Sequence, residues 1–180
     1  MSSKIIESYS DTCKRLNIKP TARHAVVSIE KQTLTLITES GETRTFTVST
    51  SKNPPSCLQD SGGTPNGLHR IKTKIGENAS LGEVFKSRVP QNRPYWEFSE
   101  EEQTSNLITT RILWLDGLEA NKNKGDNCDS YQRYIYIHGT NHEDRIGRPA
   151  SGGCVVLKNQ EVIELFDLLC ESDHVYISLS

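Results

Sequence analysis

The chain has 180 residues, of which 24% are charged and 34% are hydrophobic, and its formal net charge at pH 7 is -2. These proportions are ordinary for a globular protein and exclude a disordered chain or a coiled coil, while the length suits one domain with a real core. A net negative charge argues against a nucleic-acid partner held by a basic face.

The sequence contains no apolar run near the roughly 20 residues that cross a bilayer, so we expect no membrane partner. Its first ten residues, MSSKIIESYS, lack the apolar core and the small-residue cleavage site of a secretory signal peptide. We therefore expect a cytoplasmic protein. The alternative is a periplasmic protein whose leader has been removed.

The N-terminal part predicts a helix followed by a β-meander. Apolar side chains recur at helical spacing from Ile5 to Leu16, which predicts a short helix that ends before Pro20, within an N-terminal extension over residues 1–22. From Ala25 the apolar period changes to two, which predicts three short strands. Their apolar pairs are Val27 and Ile29, Leu34 and Leu36, and Phe46 and Val48.

The middle of the chain alternates loops and strands. Residues 51–66 are rich in glycine, proline and serine and predict a loop, and residues 67–75 predict a strand. Residues 76–106 are polar and predict little regular structure, whereas residues 107–115 predict a strand. Residues 119–130 predict a solvated loop, either a plain connection or a lid.

The last third combines two strands, a helix and a final strand. Residues 134–138 predict a short strand that Gly139 ends, and residues 155–157 predict a buried strand or turn. Asn159 is a suitable N-cap for a helix that runs to about Glu171. Residues 174–179 predict a closing strand, so the chain as a whole predicts one mostly β (α+β) domain with one or two helices.

Five cysteines are present, at positions 13, 57, 128, 154 and 170, and none forms a CxxC pair. This spacing argues against a zinc knuckle or a thioredoxin-like motif and favours inert thiols in a reducing compartment. Cys154 differs because two glycines precede it and His138 lies 16 positions before it. A nearby imidazole makes a thiol nucleophilic by taking its proton, and glycine-rich backbone can present N–H groups to an oxyanion.

The spacing alone leaves two interpretations open. Cys154 and His138 can form a nucleophile and base if the loop over residues 141–150 folds back and joins them. Cys154 can equally be a buried core thiol beside Val155 and Val156, and His138 a structural histidine at a strand end.

Residues 137–141 (IHGTN) and 151–155 (SGGCV) resemble the HGT…S-x-G-C signature of the YkuD-like L,D-transpeptidase catalytic domain. The resemblance covers roughly residues 24–179. It includes the TPNG strand entry that begins at Thr64, the strand over residues 110–113, and the helix that follows Asn159. It implies a β-sandwich or barrel over residues 23–180, with one or two helices and a cleft between sheet and loops.

The resemblance also implies a reaction. The family's cysteine attacks the carbonyl of the third residue, usually diaminopimelate, in a peptidoglycan tetrapeptide stem; D-Ala leaves, and an amine or water resolves the thioester. Cys154 would be the nucleophile, His138 the base, and Gly139 the residue whose carbonyl orients the imidazole. The N–H groups of Gly153 and Cys154 would hold the oxyanion.

The resemblance further implies substrate-binding residues and partners. The substrate-binding set is Ser151, Gly152, Gly153, Thr140, Asn141 and Arg145. The expected partner is a peptidoglycan tetrapeptide or muropeptide, bound by a monomer without a metal or an organic cofactor.

Two positions depart from the family pattern. Gly152 stands where the family commonly has histidine, so His138 would act unaided, unless His142 approaches rather than remaining a solvated loop residue. Val156 stands where the family commonly has arginine, and Arg145, Arg148 or Arg111 could supply that charge instead.

The resemblance to short members without a leader favours an L,D-carboxypeptidase that trims tetrapeptides during wall recycling. The alternatives are cross-linking by an amine acceptor, a catalytically impaired peptidoglycan-binding module, and a leaderless secreted effector.

Overall fold

In a computed structural model, residues 3–180 of the chain are described, with side chains from Ile5 onward. These residues form three α-helices and ten strands. The helices are α1 (Ser3–Leu16), α2 (Glu100–Gln103) and α3 (Asn159–Leu168). The strands are β1 (His24–Ser28), β2 (Thr33–Ile37), β3 (Thr43–Thr47), β4 (Gly67–Ile75), β5 (Glu83–Lys86), β6 (Val89–Pro94), β7 (Ile108–Gly117), β8 (Tyr136–Thr140), β9 (Val155–Leu157) and β10 (His174–Ser178).

All ten strands belong to one mixed, curled sheet. Its strands follow the order β3-β2-β1-β10-β4-β7, and β8 and then β9 continue from β7. Just beyond β3, Ser49 pairs with Val156 of β9, and Ser51 pairs with Ser151. These bridges join the two ends of the sheet, so the fold approaches a closed barrel. The β5–β6 hairpin branches from the beginning of β7.

The side-chain alternation of β8 and β9 separates the core from the outer face of the sheet. Ile135, Ile137, Val155 and Leu157 point into the main hydrophobic core, which α3 closes with Val162, Leu165 and Phe166. Tyr136 belongs to a second cluster on the outer face, and Cys154 packs against that cluster. The candidate nucleophile Cys154 and the candidate base His138 therefore lie outside the barrel core.

Helix α1 packs elsewhere on the outer face. Ile5 packs near Val26 and Ile37, while Tyr9 and Cys13 pack near Leu68. Arg15 near its end donates a 2.6 Å hydrogen bond to Glu119. The apolar spacing of the helix thus fixes which face it buries. No helix within residues 3–180 is long and apolar enough to span a membrane.

The mostly β fold, the N-terminal helix and the β-meander are confirmed, but the described residues contain three α-helices instead of one or two. The prediction of little regular structure over residues 76–106 is wrong, because β5, β6 and α2 lie there. The prediction of a loop over residues 119–130 is confirmed, since no strand or α-helix lies there, but the segment is only partly solvated. Its Asn123 is buried and donates to the carbonyls of Asn66 and Leu68.

Two boundaries near the site also differ from the prediction. Tyr134 has a left-handed φ of 57° and ends a turn, so β8 begins at Tyr136 and continues through Gly139 rather than stopping there. Lys158 is the N-cap of α3, and the side chain of Asn159 turns into the protein instead. Helix α3 ends at Leu168, three residues before the predicted Glu171.

Candidate active site

Cys154 and His138 lie on the same outer face of neighbouring strands. Strands β8 and β9 are parallel, with His138 opposite Val156. Cys154 precedes Val156 by two positions, and side chains two apart on extended backbone share a face. Cys154 therefore lies beside Tyr136, two residues before His138 on the neighbouring strand, and the thiol and the imidazole line one cavity.

The imidazole of His138 is held in one orientation. Its Nδ1 lies 2.6 Å from the carbonyl oxygen of Gly139. Because a carbonyl can only accept, Nδ1 carries the proton and Nε2 is left as a potential proton acceptor. Burial lowers the pKa of His138 to about 4, although the Gly139 hydrogen bond opposes this shift. The imidazole is therefore neutral at pH 7.

The thiol of Cys154 is held by the strand that carries the histidine. The N–H of Tyr136 donates to Sγ at 3.3 Å, and Sγ donates to the carbonyl of Tyr134 at 3.6 Å. Burial raises the pKa of Cys154 to about 11, while the Tyr136 hydrogen bond and the charge of Arg133 oppose the rise. The hydrogen bonds of Sγ therefore go to β8 and its preceding turn, and within the described residues none joins Sγ to His138.

The cavity encloses about 230 Å³ and opens between the sheet and two loops. Polar and apolar side chains share its wall, which suits a peptide with a reacting carbonyl. Of the residues predicted to form the site, it is lined by Cys154, His138, Ser151, Gly152, Thr140 and Arg145. Lining residues that the sequence did not single out are Ser49, Asn106, Leu107, Ile108, Ile146 and Ala150.

Ser151 and Gly153 shape the turn before the cysteine. The Ser151 hydroxyl donates to the Cys154 carbonyl at 2.6 Å and accepts from the Gly153 N–H at 3.2 Å. The Gly153 N–H, proposed for an oxyanion, is thus already used within the turn. Gly153 has a φ of 133°, which a side chain tolerates poorly, whereas a Cβ at Gly152 would meet open space.

Asn141 and Gly139 do not line the cavity and instead brace the backbone around it. The Asn141 side chain accepts from the N–H of Leu107 and donates to the carbonyls of Gln103 and Ser105. Gly139 is tightly enclosed, since a Cβ there would lie 2.6 Å from Oδ1 of Asn159. Both residues therefore act on the site through the strands and loops that they hold.

The arginines divide into those near the site and those away from it. Arg111 is buried against Phe166 and donates to the carbonyls of Ala79 and Thr110, and Arg148 pairs with Asp144. Arg145 lines the cavity and donates to Asn106. Among the charges, it is Arg133 that acts on the Cys154 thiol.

Sequence reasoning missed Arg133, whose contacts depend on a distant loop. Its guanidinium donates to the carbonyls of Ser56 and Gly63 and to the Ser61 hydroxyl. These residues lie 70 or more positions earlier in the chain. No local pattern signals such a contact, apart from the glycine and serine content of the loop.

Comparison with known proteins identifies the family of this chain. The family model described as "L,D-transpeptidase catalytic domain" (YkuD) matches residues 22–177. YqjB of Bacillus subtilis (strain 168), whose name carries a provisional L,D-transpeptidase assignment, is 27% identical over 112 residues, which are 62% of this chain and 59% of that protein. The chain thus spans less than two thirds of the length of that relative.

Solved structures share the fold. An L,D-transpeptidase from Mycobacterium smegmatis superposes with a TM-score of 0.54 at 16% identity, covering 87% of this chain and 58% of its own. L,D-transpeptidase 3 from Mycobacterium tuberculosis, solved with a faropenem-derived adduct, gives 0.53 at 13% identity, covering 87% and 60%. The architecture and the matched residues define a YkuD-type catalytic domain. This chain belongs to the L,D-transpeptidase catalytic domain family.

Proposed function

We propose that this protein catalyses acyl transfer on peptidoglycan stem peptides through a thioester on Cys154. The observation that carries the proposal is that Cys154 and His138 line one cavity. The Nδ1–H of the imidazole donates to the Gly139 carbonyl, which leaves Nε2 as a base. The substrate class comes from family membership. The geometry and the family membership together support this assignment.

The proposed reaction begins with both groups neutral. Nε2 of His138 takes the thiol proton as Sγ attacks the carbonyl carbon of the third stem residue. The bond to the D-Ala nitrogen then breaks, and the imidazolium returns its proton to the leaving amine. Water attacks the thioester with His138 again as base, which frees the shortened peptide and regenerates the thiol of Cys154.

We propose water as the acceptor because the sequence around residues 110–113 and 139–141 resembles the short, hydrolytic members of the family. Incubation with a disaccharide-tetrapeptide should then release D-Ala with no added amine. Release that requires an amine acceptor would instead identify a cross-linking transpeptidase. Absence of release under both conditions would contradict the proposed reaction.

A covalent probe tests the nucleophile independently of the substrate. The related L,D-transpeptidase 3 was solved with a faropenem-derived adduct, so we expect faropenem to acylate Cys154 here. Intact-mass spectrometry should show one adduct, which Cys154→Ala abolishes. Cys170→Ala is the matched control, because that exposed thiol contacts Arg23 instead of the cavity. An adduct that persists in Cys154→Ala, or no adduct on the intact protein, would favour an impaired binding module.

A further inference from the structure

Arg88 stands at the tip of the β5–β6 hairpin. Lys86 and Val89 pair across the hairpin, so Ser87 and Arg88 are its two turn residues. The guanidinium carbon lies 4.9 Å from the ring centres of both Trp114 and Tyr134. Its Nη1 also donates to the Tyr136 hydroxyl at 3.2 Å. Three aromatic side chains therefore hold this one cation in place.

The residues that hold Arg88 also hold the nucleophile. Tyr134 accepts from Sγ of Cys154 through its carbonyl, and Tyr136 donates to Sγ through its N–H. The side chains of these tyrosines contact Arg88, while their backbone contacts the sulfur. Arg88 is thus linked to the thiol through Tyr134 and Tyr136, just outside the residues that line the cavity of Cys154 and His138.

Within the part of the chain that the structure describes, the guanidinium of Arg88 has no acidic partner. No ion pair among these residues includes Arg88. A guanidinium has five N–H donors, and the bond to Tyr136 uses one. The contacts with the aromatic rings use no N–H donor, so the remaining N–H groups of the guanidinium can bind a ligand. A planar fork of this kind matches a carboxylate.

The backbone of the turn gives a second reason to assign Arg88 a role. Ser87 and Arg88 have left-handed φ values of 50° and 69°. Two-residue hairpin turns of this type favour Asn-Gly, because most side chains are strained there. Backbone strain at an arginine supports a functional hypothesis for this position.

We propose that Arg88 binds a carboxylate of the peptide that acylates Cys154. The identity of that peptide rests on the proposed function. Two groups of the substrate carry this chemistry near the attacked carbonyl: the side chain of diaminopimelate and the terminal carboxylate of D-Ala. Arg88 thereby favours peptides that carry a carboxylate near the attacked carbonyl.

Alkylation of Cys154 tests the site without any peptide. Iodoacetate carries a carboxylate and iodoacetamide does not, and mass spectrometry of the peptide containing Cys154 gives both rates. Arg88→Gln should lower the iodoacetate-to-iodoacetamide rate ratio by about threefold or more, which is the effect of one unit charge screened nearly as in water. Arg93→Gln is the matched control, because Arg93 lies on the same hairpin and stacks on Phe98.

Peptide substrates identify which carboxylate is bound. Arg88→Gln should lower kcat/KM for the free tetrapeptide about tenfold, as expected for a lost charge-assisted hydrogen bond, and Arg93→Gln should not. One substrate amidated at diaminopimelate and another amidated at D-Ala form the two arms. The arm on which the wild type and Arg88→Gln have equal kcat/KM lacks the carboxylate that Arg88 binds.

Arg88→Gly separates binding from folding. Glycine suits the left-handed position, so relief of backbone strain should offset the lost ring contacts and keep the melting temperature near the wild-type value, while the variant loses the same iodoacetate preference. Unchanged rate ratios and unchanged kcat/KM in both Arg88 variants would overturn the carboxylate site. If no peptide releases D-Ala but Arg88 still sets the iodoacetate preference, the proposed function fails and the carboxylate site stands.

Discussion

At Cys154 and His138, burial opposes charge on both members of the pair. It raises the pKa of the thiol to about 11 and lowers the pKa of the imidazole to about 4. A preformed thiolate–imidazolium pair would require the reverse order of these pKa values. The resting site is therefore a neutral thiol beside a neutral base, and the proton moves only when a substrate is attacked.

The neutral pair predicts how alkylation of Cys154 by iodoacetamide depends on pH. Because the thiolate is the reacting species, the rate should rise about tenfold per pH unit from pH 6 to 10, with no plateau below pH 9. Stopped reactions read by mass spectrometry of the Cys154 peptide give these rates. The urea-unfolded protein is the control, whose rate should level off above its ordinary thiol pKa of about 8.5. A plateau between pH 5 and 7 in the folded protein would instead reveal an ion pair.

The two glycines before Cys154 should respond differently to a side chain. A Cβ at Gly152 meets open space, so Gly152→His should change the free energy of unfolding by no more than about 0.5 kcal/mol. Gly153 has a left-handed φ, so Gly153→Ala should cost about 1–2 kcal/mol. Urea denaturation measures both values. Equal costs would show that the turn relaxes, and a large cost for Gly152→His would show that packing excludes the family's histidine.

Short motifs were sufficient to select Cys154 and His138, which the structure brings to one cavity, because each motif fixes its own strand or turn. Arg88 and Arg133 could not be found in this way. Arg88 contacts Tyr134 and Tyr136, which hold the thiol, because a hairpin from residues 83–94 branches from β7. Arg133 reaches the site through contacts with a loop about 70 positions earlier. Such residues depend on tertiary structure, which a local pattern does not encode.

At the scale of elements, Asn159 joins the first turn of α3 to two strands. Its Oδ1 accepts from the hydroxyls of Thr109 and Thr110, at 2.6 and 2.5 Å. Its Nδ2 donates to the carbonyl of Thr140 and to Glu143. One buried amide thus fixes the end of β8 and the loop that follows, both of which border the cavity.

We expect Asn159→Ala to destabilise the protein by about 3 kcal/mol, because it leaves buried hydroxyl and carbonyl groups without partners. D-Ala release should fall more than the folded fraction does, since the strand end beside His138 loses its anchor. Thermal unfolding and an activity assay on the folded protein measure the two effects. Gln160→Ala, at the exposed next position of α3, should leave both unchanged. A similar loss in both variants would assign the effect to the helix rather than to the amide.

Element prediction worked where apolar side chains alternate along a strand and failed where they do not. The alternation of Leu34, Leu36 and Phe46 gave the meander, because these side chains enter the core. Strand β6, with its two prolines, is exposed or half-buried throughout and shows no apolar period. The buried polar segment around Asn123 looked solvated, because its burial depends on side-chain hydrogen bonds instead of apolar contacts.

At the scale of the whole molecule, closure of the sheet buries histidines as well as apolar side chains. His69 of β4 is fully buried, with Nδ1 donated to the Gly67 carbonyl and Nε2 2.9 Å from the Ser130 hydroxyl. Burial lowers its pKa to about 4, as it does for His138. Burial also lowers the pKa values of His24 and His174, which face each other in β1 and β10 beneath Tyr9 of α1.

These buried histidines predict a loss of stability in mild acid. A histidine whose pKa is lower in the folded protein takes up its proton first in the unfolded chain, so its stabilising effect is complete above pH 6.5 and is lost as the pH falls towards 4. His69 and His138 should each contribute about 1.4 kcal/mol per pH unit within that window. Urea unfolding at pH 7.5, 6.5, 5.5 and 4.8 measures the slope. Within this range, His69→Gln should lower the slope of unfolding free energy against pH by about 1.4 kcal/mol per pH unit, because glutamine does not titrate. The glutamine amide can replace both hydrogen bonds of the imidazole. Equal stability at pH 7.5 and pH 4.8 would contradict the assignment of neutral, buried histidines to the closed sheet.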